Sequence, residues 1–241
     1  MPQYFVGPGD LDGGRCTVRG EDFHHLVRVR RVVRGDVIEL RLPGGAGVSA
    51  RVASIGEEAL VAEIIDKKAP CVVSLKLTLY ASLLKGKKFD LVVQKAAELG
   101  VSGIVPVLTE RTIPDIGEKE SRRLERWNRI AAEAAKQCMR PDIPVVGRVL
   151  DFDEAIGEGA GARIIAHPGG GMSARDIRRT EDVSTEAALF VGPEGGFSGR
   201  EIDAAAARGW RVMSFGSTQL RAETAAIVLP AILIYEWSLT E

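Results

Sequence analysis

The pattern of hydrophobic and polar positions divides the chain into two parts, and the first part, residues 1–70, contains short apolar runs between turn-forming residues. Four of these runs are predicted strands, at 4–6, 37–42, 48–55 and 60–65. The Gly-rich stretch 44–47 predicts a hairpin turn, and 21–31 is the helical candidate. The polar segment 67–70 ends in proline and is a predicted linker. The first part is therefore predicted to be a small β-rich unit.

The second part, residues 71–241, alternates between strand-like and helix-like patterns. Predicted strands lie at 75–83, 103–108, 163–167, 187–191 and 210–215. Predicted helices lie at 87–99, 118–139 and 198–209. Such alternation is typical of an α/β fold, in which helices cover both faces of a parallel sheet. The final segment, 223–239, is apolar almost all round, which predicts a buried helix within its own domain or at a subunit interface.

Two loops of the second part are predicted to lie at one edge of the sheet. The turn 192–196 (GPEGG) follows the strand 187–191, and Ser198 with Glu201 predicts a capping box at the start of the next helix. The strand 210–215 then leads into a second loop. Two strands joined by one helix are normally parallel, so both loops leave the C-terminal edge, where open α/β sheets bind ligands.

Composition narrows the class of protein. Of 241 residues, 45% are hydrophobic and 27% charged, as in globular chains. Cys16, Cys71 and Cys138 lie far apart and show no spacing of a disulfide framework or metal site, so a reducing compartment is expected. The N-terminus lacks the regions of a signal peptide, and the longest apolar run, 225–235, is shorter than the roughly 20 residues of a membrane span. We expect a cytoplasmic protein without a membrane segment.

Charge is unevenly distributed. The net charge is −1, so contact with a polyanion must come from local patches. Arg28, Arg30, Arg31 and Arg34 lie within seven residues that contain no acid, and His25 precedes them closely. Such a cluster is equally typical of a solvated helix end and of a nucleic-acid contact.

The two loops carry a specific resemblance. The segment 192–198 (GPEGGFS) with Glu201, and Gly216 with 220–225 (LRAETA), resemble the two C-terminal signatures of the SPOUT methyltransferases. The pair most resembles the RsmE family, whose members methylate N3 of a uridine in 16S ribosomal RNA. The resemblance extends over nearly the whole chain, strongly in the last part and weakly in the first. Thr218 stands where the family commonly has an arginine, so a role carried by that charge is not expected here.

The resemblance implies a fold, a cofactor and partners. Residues 71–241 are expected to form a SPOUT-type α/β domain, a parallel sheet with a C-terminal trefoil knot, and residues 1–70 a PUA-like β-barrel that binds RNA. It further implies S-adenosylmethionine as the cofactor, 16S rRNA or the small ribosomal subunit as the substrate, and a homodimer. The expected activity is methylation of uridine N3.

The resemblance also locates a pocket for this cofactor. Glycines let the backbone approach a ligand closely, and loop amides and carbonyls can bind the adenine edge. His167 ends a neighbouring predicted strand, and an ordinary strand-end histidine is the alternative interpretation. The candidate cofactor residues are His167, Val191, Gly192, Glu194, Gly196, Phe215, Gly216, Ser217 and Leu220.

Transfer of a methyl group to N3 requires in-line positioning and loss of the N3 proton. A cation can stabilise the deprotonated ring, and a base can accept the proton. Arg221 is the first candidate for the catalytic cation, and Arg111 and Arg140 follow it. A phosphate contact or a surface salt bridge is the alternative for each. Glu223 is the candidate acceptor, and the alternative is a first-turn carboxylate that serves the helix dipole. Glu194 carries the same ambiguity.

A second basic stretch adds to the candidate RNA contacts. Residues 111–140 contain 8 Lys and Arg against 5 Asp and Glu, and phosphate binding needs such a local excess. A salt bridge is the alternative for Arg140. The candidate RNA-binding residues are His25, Arg28, Arg30, Arg31, Arg34 and Arg140.

Other classes of function are also weighed. A nucleotide-phosphate binder would carry GxxxxGK[ST], but the segment 85–88 (KGKK) lacks the upstream glycine and the hydroxyl residue. No GxGxxG opens the first strand-helix-strand unit, which counts against a Rossmann-type enzyme. A non-catalytic RNA-binding protein that kept the fold stays open, as does a SPOUT methyltransferase with a different RNA target.

Overall fold

The computed structural model describes residues 3–68, 74–113, 120–180 and 185–238. The chain divides into two compact units, Met1–Val72 with Ala135–Asp142, and Val73–Ala134 with Ile143–Glu241. The predicted boundary between residues 70 and 71 lies outside the described residues. The segment Ala135–Asp142, predicted as part of the second domain, packs instead with the first unit.

The described strands of the first unit form one sheet. They are β1 (Tyr4–Phe5), β2 (Leu11–Asp12), β3 (Arg15–Arg19), β4 (Val37–Arg41), β5 (Gly47–Ile55) and β6 (Ala59–Lys68). Their order is β1-β4-β5-β6-β3-β2, and every pair is antiparallel except β1 with β4. Buried side chains from these strands, with Leu26 among them, form the core of the unit. The prediction of a β-rich first part is therefore confirmed.

Two features of the first unit differ from the prediction. Strand β3 was missed because only Cys16 and Val18 are apolar in it, and both are buried between exposed arginines. The predicted helix 21–31 is a short helix α1 (Gly20–His24) that continues into a π-helical turn (His25–Val29). The wider turn is a local irregularity that hydrophobic spacing does not encode.

The segment Ala135–Asp142 contacts the rest of the first unit at three places. The side-chain amide of Gln3 donates to the Arg140 carbonyl at 2.9 Å, and Lys136 pairs with Asp22 at 2.5 Å. Pro141 lies so close to Gly45 that a Cβ on that glycine would meet it at 3.1 Å. The first unit is thus completed by a segment that is distant in sequence.

The second unit is built on a parallel sheet. Its strands are β7 (Lys76–Ser82), β8 (Gly103–Leu108), β9 (Val145–Val146), β10 (Leu150–Asp151), β11 (Ala162–Ala166), β12 (Glu186–Val191) and β13 (Arg211–Met213). Their order is β10-β8-β7-β12-β11-β13, with β9 beside β8. Its helices are α2 (Lys88–Leu99), α3 (Glu120–Gln137), α4 (Phe152–Glu158), α5 (Ala174–Thr180), α6 (Gly199–Ala207) and α7 (Ala222–Ser238). All of the strand pairs are parallel.

Helices cover both faces of this sheet. Along β12, Leu189 packs into a core with residues of α2, α3, α5 and α7, whereas Phe190 packs on the opposite face with residues of α4 and α6. Strands buried on both faces are apolar throughout, which explains why β12 is a continuous hydrophobic run. The α/β prediction is confirmed.

The predicted strand-helix-strand unit is present with one addition. β12 and β13 flank α6 in sequence and run parallel, but β11 lies between them, pairing Ile164 with both Leu189 and Arg211. The capping box of α6 is formed as predicted: the Glu201 amide donates to Ser198 Oγ at 3.3 Å, and the Ser198 amide donates to Glu201 Oε2 at 2.8 Å. Both loops leave the C-terminal edge of the sheet.

The final helix has one buried face and one uncovered stripe. Helix α7 continues through Pro230, and Leu229, Leu233 and Trp237 are buried in the core of its own unit. These three are therefore not available for the subunit interface that an all-round apolar helix suggests. The uncovered stripe consists of Tyr235, which is 61% exposed, and of Ile227, Val228 and Ala231, which are half-buried. No helix in the described part of the chain is long and apolar enough to span a membrane.

Candidate active site

A cavity of about 460 Å³ lies at the C-terminal edge of the sheet in the second unit. Its wall is formed by the ends of β11, β12 and β13, the first turns of α2 and α7, and the loop between β13 and α7. The predicted residues on this wall are His167, Val191, Gly192, Glu194, Gly196, Phe215, Leu220, Arg221 and Glu223. The volume is within the range of small-molecule sites, roughly 300–1,000 Å³. Two separate sequence motifs therefore meet around one cavity.

Glycines of the turn after β12 serve two different purposes. Gly196 has a φ of +67°, which favours glycine, and no atom lies within 4 Å of the position of a Cβ there. A Cβ on Gly192 would meet the Phe197 ring at 3.1 Å. Phe197 is buried and packs edge-on against Phe190 with ring centroids 5.0 Å apart. Gly196 thus permits the turn and keeps its backbone open, whereas Gly192 makes room for a buried ring.

Of the residues predicted to line the cavity from the loop after β13, only some do so. Phe215 is 41% exposed and lines the cavity together with Leu220. Gly216 has a φ of +56° but lines a neighbouring hollow of about 360 Å³ near Arg175, and Ser217 is not part of the cavity wall. The prediction that Gly216 and Ser217 line the cofactor cavity is therefore not supported by the structure, and the positive φ gives Gly216 a backbone role.

One lysine joins two carboxylates on the wall. Nζ of Lys88 lies 3.3 Å from Glu223 Oε1 and 3.4 Å from Glu194 Oε1. Burial acts to raise the pKa of Glu194, but hydrogen bonds from its own amide, from the Lys85 amide and from Lys88 outweigh it, and its pKa is lowered. The other oxygen of Glu223, Oε2, is buried and has no hydrogen-bond donor among the described residues. Within the described residues, the carboxylate of Glu223 thus has one polar partner, Lys88.

Arg221 and His167 present polar groups to the same cavity. Arg221 is exposed, and its guanidinium makes no hydrogen bond or ion pair with any residue in the part of the chain that the structure describes. The Gly169 amide donates to His167 Nδ1 at 3.0 Å, so the neutral ring carries its proton on Nε2. The wall therefore offers a cation without a partner and an N–H donor.

Arg111 contacts the turn after β12 from outside the cavity. Its Nη1 donates to the Gly195 carbonyl at 2.8 Å, and the residue is not part of the cavity wall. The neighbouring Glu110 amide donates to Glu201 Oε1 at 2.9 Å, and Ser198 Oγ donates to Glu110 Oε2 at 2.8 Å. The contact that the structure gives Arg111 positions the turn, and its catalytic role stays a prediction.

Comparison with known proteins agrees with this arrangement. An RNA methyltransferase domain model matches residues 72–234, and an RNA methyltransferase PUA domain model matches residues 18–65. The chain is 31% identical over 230 residues to the ribosomal RNA small subunit methyltransferase E of Synechocystis, covering 92% of this chain and 74% of that protein. The chain belongs to the RsmE family of RNA methyltransferases. The resemblance drawn from the two loop motifs is confirmed.

Other RsmE-family proteins show the same likeness. The Bacillus subtilis ribosomal RNA small subunit methyltransferase E is 26% identical over 240 residues, covering 92% of this chain and 91% of that protein. A crystal structure of the Neisseria gonorrhoeae ribosomal RNA small subunit methyltransferase E, bound to S-adenosylmethionine, superposes with a TM-score of 0.88 at 29% identity and full coverage of both chains.

The basic cluster of this RsmE-family chain is largely exposed in the first unit. Arg28, Arg31 and Arg34 are exposed, and a φ of +54° at Arg31 turns the backbone between them. Arg30 and His25 are half-buried, and His25 Nδ1 is hydrogen-bonded to the Tyr4 hydroxyl at 2.8 Å. Of the five predicted RNA-binding residues in this cluster, three are thus exposed to solvent and two are half-buried.

Arg140 is not a surface residue. It is 7% exposed, and its guanidinium binds both carboxylate oxygens of Asp142, at 3.0 and 3.1 Å. Its carbonyl also accepts the hydrogen bond from Gln3. The prediction of an RNA contact at Arg140 is corrected, because a buried, paired guanidinium is not available to phosphate.

Several wall residues were missed by sequence reasoning. In the sequence, Lys88 lies in the segment 85–88, which does not match a phosphate-binding motif. It reaches the cavity because β7, which precedes its helix, lies beside β12 in the sheet. Thr218, at the position where the family commonly has arginine, lies on the wall with Gln219. Knowledge of the strand order would have identified Lys88 as a wall residue, but no local pattern in the sequence indicates that order.

Proposed function

We propose that this protein transfers the methyl group of S-adenosylmethionine to N3 of a uridine in 16S ribosomal RNA. The observation that carries the proposal is the meeting of both family motifs around one cavity, with a guanidinium, Arg221, that has no partner among the described residues. The names of the relatives and the bound cofactor of the Neisseria gonorrhoeae protein support it.

The residues of the cavity fit the proposed cofactor. The open backbone at Gly196 and the neighbouring Val191 and Gly192 would hold it on one side, and Phe215 and Leu220 on the other. His167 offers an N–H donor to its polar groups. When bound, the cofactor supplies a methyl group on a sulfonium, which needs little covalent help from the protein. The task of the chain is therefore to place the nucleophile in line and exclude other geometries.

Two charged residues of the wall have different roles. Loss of the N3 proton spreads negative charge over the uracil ring, and we assign Arg221 to stabilise that charge, because its guanidinium is exposed and without a partner in the described chain. Glu223 is bound to Lys88 through one oxygen, and its other oxygen is buried. This placement favours a role in the wall over that of an accessible proton acceptor.

The remaining features of the proposal follow from the family resemblance. We infer a C-terminal trefoil knot, a homodimer and a cytoplasmic location, with 16S rRNA or the small ribosomal subunit as the substrate. The uncovered stripe of α7, which includes the 61% exposed Tyr235, supports a subunit interface on that helix. The match of residues 18–65 to an RNA methyltransferase PUA domain supports RNA contact by Arg28, Arg31 and Arg34.

Two measurements test this function. A methyl group on N3 blocks the base-pairing edge of uracil, so reverse transcription of 16S rRNA should stop at the modified site. We expect the stop to disappear when the gene is deleted and to return with the wild-type gene but not with Arg221→Ala. Titration calorimetry should show binding of S-adenosylmethionine and not of ATP or NAD.

The outcomes separate the alternatives. Binding of ATP instead would indicate a nucleotide-phosphate binder. Cofactor binding without a change in 16S rRNA would indicate a different RNA target. RNA binding without cofactor binding would indicate a non-catalytic protein that kept the fold.

A further inference from the structure

We propose that Glu194, Lys88 and Glu223 make the cavity selective for charge, so that it retains the cationic methyl donor and releases its uncharged-sulfur product. The inference rests on the proposed function, since it assumes that S-adenosylmethionine is the ligand. It concerns a property that the transfer reaction alone does not require, namely discrimination between the cofactor before and after the methyl group has left.

The geometry is that of one cation shared by two anions. Lys88 Nζ lies 3.3 Å from Glu223 Oε1 and 3.4 Å from Glu194 Oε1, and all three residues line the cavity. One ammonium cannot neutralise two carboxylates, so the trio carries a net charge of −1. Glu223 also keeps an oxygen, Oε2, that is buried without a donor in the described chain. The trio therefore contributes a net negative charge to the wall, which Arg221 balances from an exposed position.

The degree of burial decides which charges act on a ligand. The side chain of Glu223 is 15% exposed and that of Glu194 is 30% exposed, against 40% for Lys88. Interactions of less exposed charges are less screened by water and salt. Arg221, the other charged residue on the wall, is exposed, and His167 Nδ1 accepts a hydrogen bond from the Gly169 amide. Glu223 is therefore the charge that a ligand in the cavity meets with least screening, and Glu194 adds a second, more exposed negative charge.

The methyl donor and its product differ in charge, which is the property to which a negatively charged wall responds. S-adenosylmethionine carries a sulfonium, and S-adenosylhomocysteine carries a neutral thioether in its place. The adenosine and amino-acid parts of the two molecules are the same. A change in wall geometry therefore alters both affinities together, whereas a change in wall charge alters their ratio. The ratio of the two dissociation constants is the readout that separates these causes.

The test uses three variants of the full chain and both ligands, with calorimetry as the readout. Glu194→Gln and Glu223→Gln each remove a negative charge and nearly preserve shape, so S-adenosylmethionine should lose about threefold to tenfold in affinity relative to S-adenosylhomocysteine. Lys88→Met removes the shared positive charge, so the ratio should move in the opposite direction by a similar factor. Opposite shifts from one cluster are not expected from a merely structural role.

Lys87→Met is the matched control. Lys87 precedes Lys88, is exposed, and makes no ion pair within the described ranges, so its removal changes net charge equally and should leave the ratio unchanged. Circular dichroism checks that each variant is folded. If the more buried change Glu223→Gln prevents folding, the opposite shifts expected of Glu194→Gln and Lys88→Met test the inference without it.

The inference is overturned if the three variants change both affinities equally, or if Lys88→Met and Glu194→Gln shift the ratio in the same direction. It is also overturned if Lys87→Met shifts the ratio as much as Lys88→Met. Wild-type protein that binds neither ligand would refute the proposed function itself, a result distinct from wild-type binding with an unaltered ratio in the variants.

Discussion

The two loops that form the cavity are held very differently. In the turn 192–198, the Gly196 amide donates to the Pro193 carbonyl at 2.9 Å, Arg111 binds the Gly195 carbonyl, and the Phe197 ring is buried. In the loop 214–221, residues 215–219 are exposed, and no side chain from Phe215 to Arg221 has a hydrogen bond within the described structure.

The difference indicates a division of tasks between the two loops. A segment with few buried contacts opens locally at low free energy, whereas a packed and bonded segment stays formed. A preformed turn binds a ligand without an ordering penalty, and an exposed loop can adapt when ligand or RNA arrives. We infer that the turn 192–198 sets cofactor affinity and that the loop 214–221 delivers the chemical group, Arg221.

The largest expected effect comes from the exposed loop. Arg221→Ala should lower the single-turnover methylation rate by about 100- to 1000-fold, because a cation that meets charge developing on the substrate acts mainly in the transition state. Calorimetry should show S-adenosylmethionine affinity within a few fold of wild type, since the residue lies outside the held turn.

Two controls sharpen this result. Arg221→Lys should restore part of the rate, because lysine supplies the charge without the bidentate fork. Higher pH should also restore part of it, because more of the uracil imide is already ionised. A collapse of cofactor affinity in Arg221→Ala, with no recovery at high pH, would mean that the arginine orders the loop and that the division of tasks is wrong.

The next largest expected effect is a loss of stability in the turn 192–198. Glu201 is 2% exposed, and its two oxygens accept the amides of Ser198 and Glu110 at 2.8 and 2.9 Å. Glu201→Gln replaces one acceptor by a donor, so one buried amide loses its partner at a cost of about 1–3 kcal/mol. Denaturant unfolding should show this loss, and cofactor affinity should fall with it.

Asp203→Asn is the control for that change. Asp203 is exposed on the same helix, so its substitution should leave both stability and affinity unchanged. A stable Glu201→Gln protein with wild-type affinity would show that the turn does not depend on this carboxylate.

Paired glycine substitutions compare the loops directly. Gly196→Val and Gly216→Val both place a side chain at positive φ, which costs on the order of 1–2 kcal/mol. Because Gly196 lies on the wall of the cavity and Gly216 does not, we expect at least about tenfold weaker cofactor binding in the first variant and a smaller loss in the second. Circular dichroism should remain native in both. Equal losses would indicate that both loops contribute equally to the pocket.

The smallest expected effect is a change in the protection of backbone amides from hydrogen exchange. Hydrogen exchange measured by mass spectrometry should be slow in peptides that cover 192–198 with or without S-adenosylmethionine. Peptides that cover 214–221 should exchange quickly without the ligand and more slowly with it, because binding orders the exposed loop. Protection of both segments before the ligand is added would remove the contrast on which the other predictions rest.

Local signals in the sequence predicted local structure well. The capping box of Ser198 and Glu201 depends on residues three apart, and it is formed as predicted. The continuous apolar run 187–191 predicted a buried strand, and the structure shows β12 buried on both faces. Motif and periodicity are sufficient in such cases, because the interacting groups are neighbours along the chain.

Features that depend on tertiary packing were not predictable in this way. The charge excess in 111–140 suggested a surface at Arg140, but burial is decided by the distant Gln3 and the neighbouring Asp142. Lys88 reaches the cavity only because β7 pairs with β12, and β11 lies between β12 and β13 without any local signal. The order of strands in the sheet cannot be predicted from counts of charged residues or from the positions of loops.

The packing of Ala135–Asp142 into the first unit has a consequence for synthesis of the chain. The ribosome releases Gln3 and Asp22 early, but their partners Arg140 and Lys136 follow more than a hundred residues later. While much of the second unit is being synthesised, Gln3 and Asp22 therefore remain solvated and without these partners. A nascent chain arrested before residue 135 should present an incomplete first unit to proteases, and one arrested well after 142 should not.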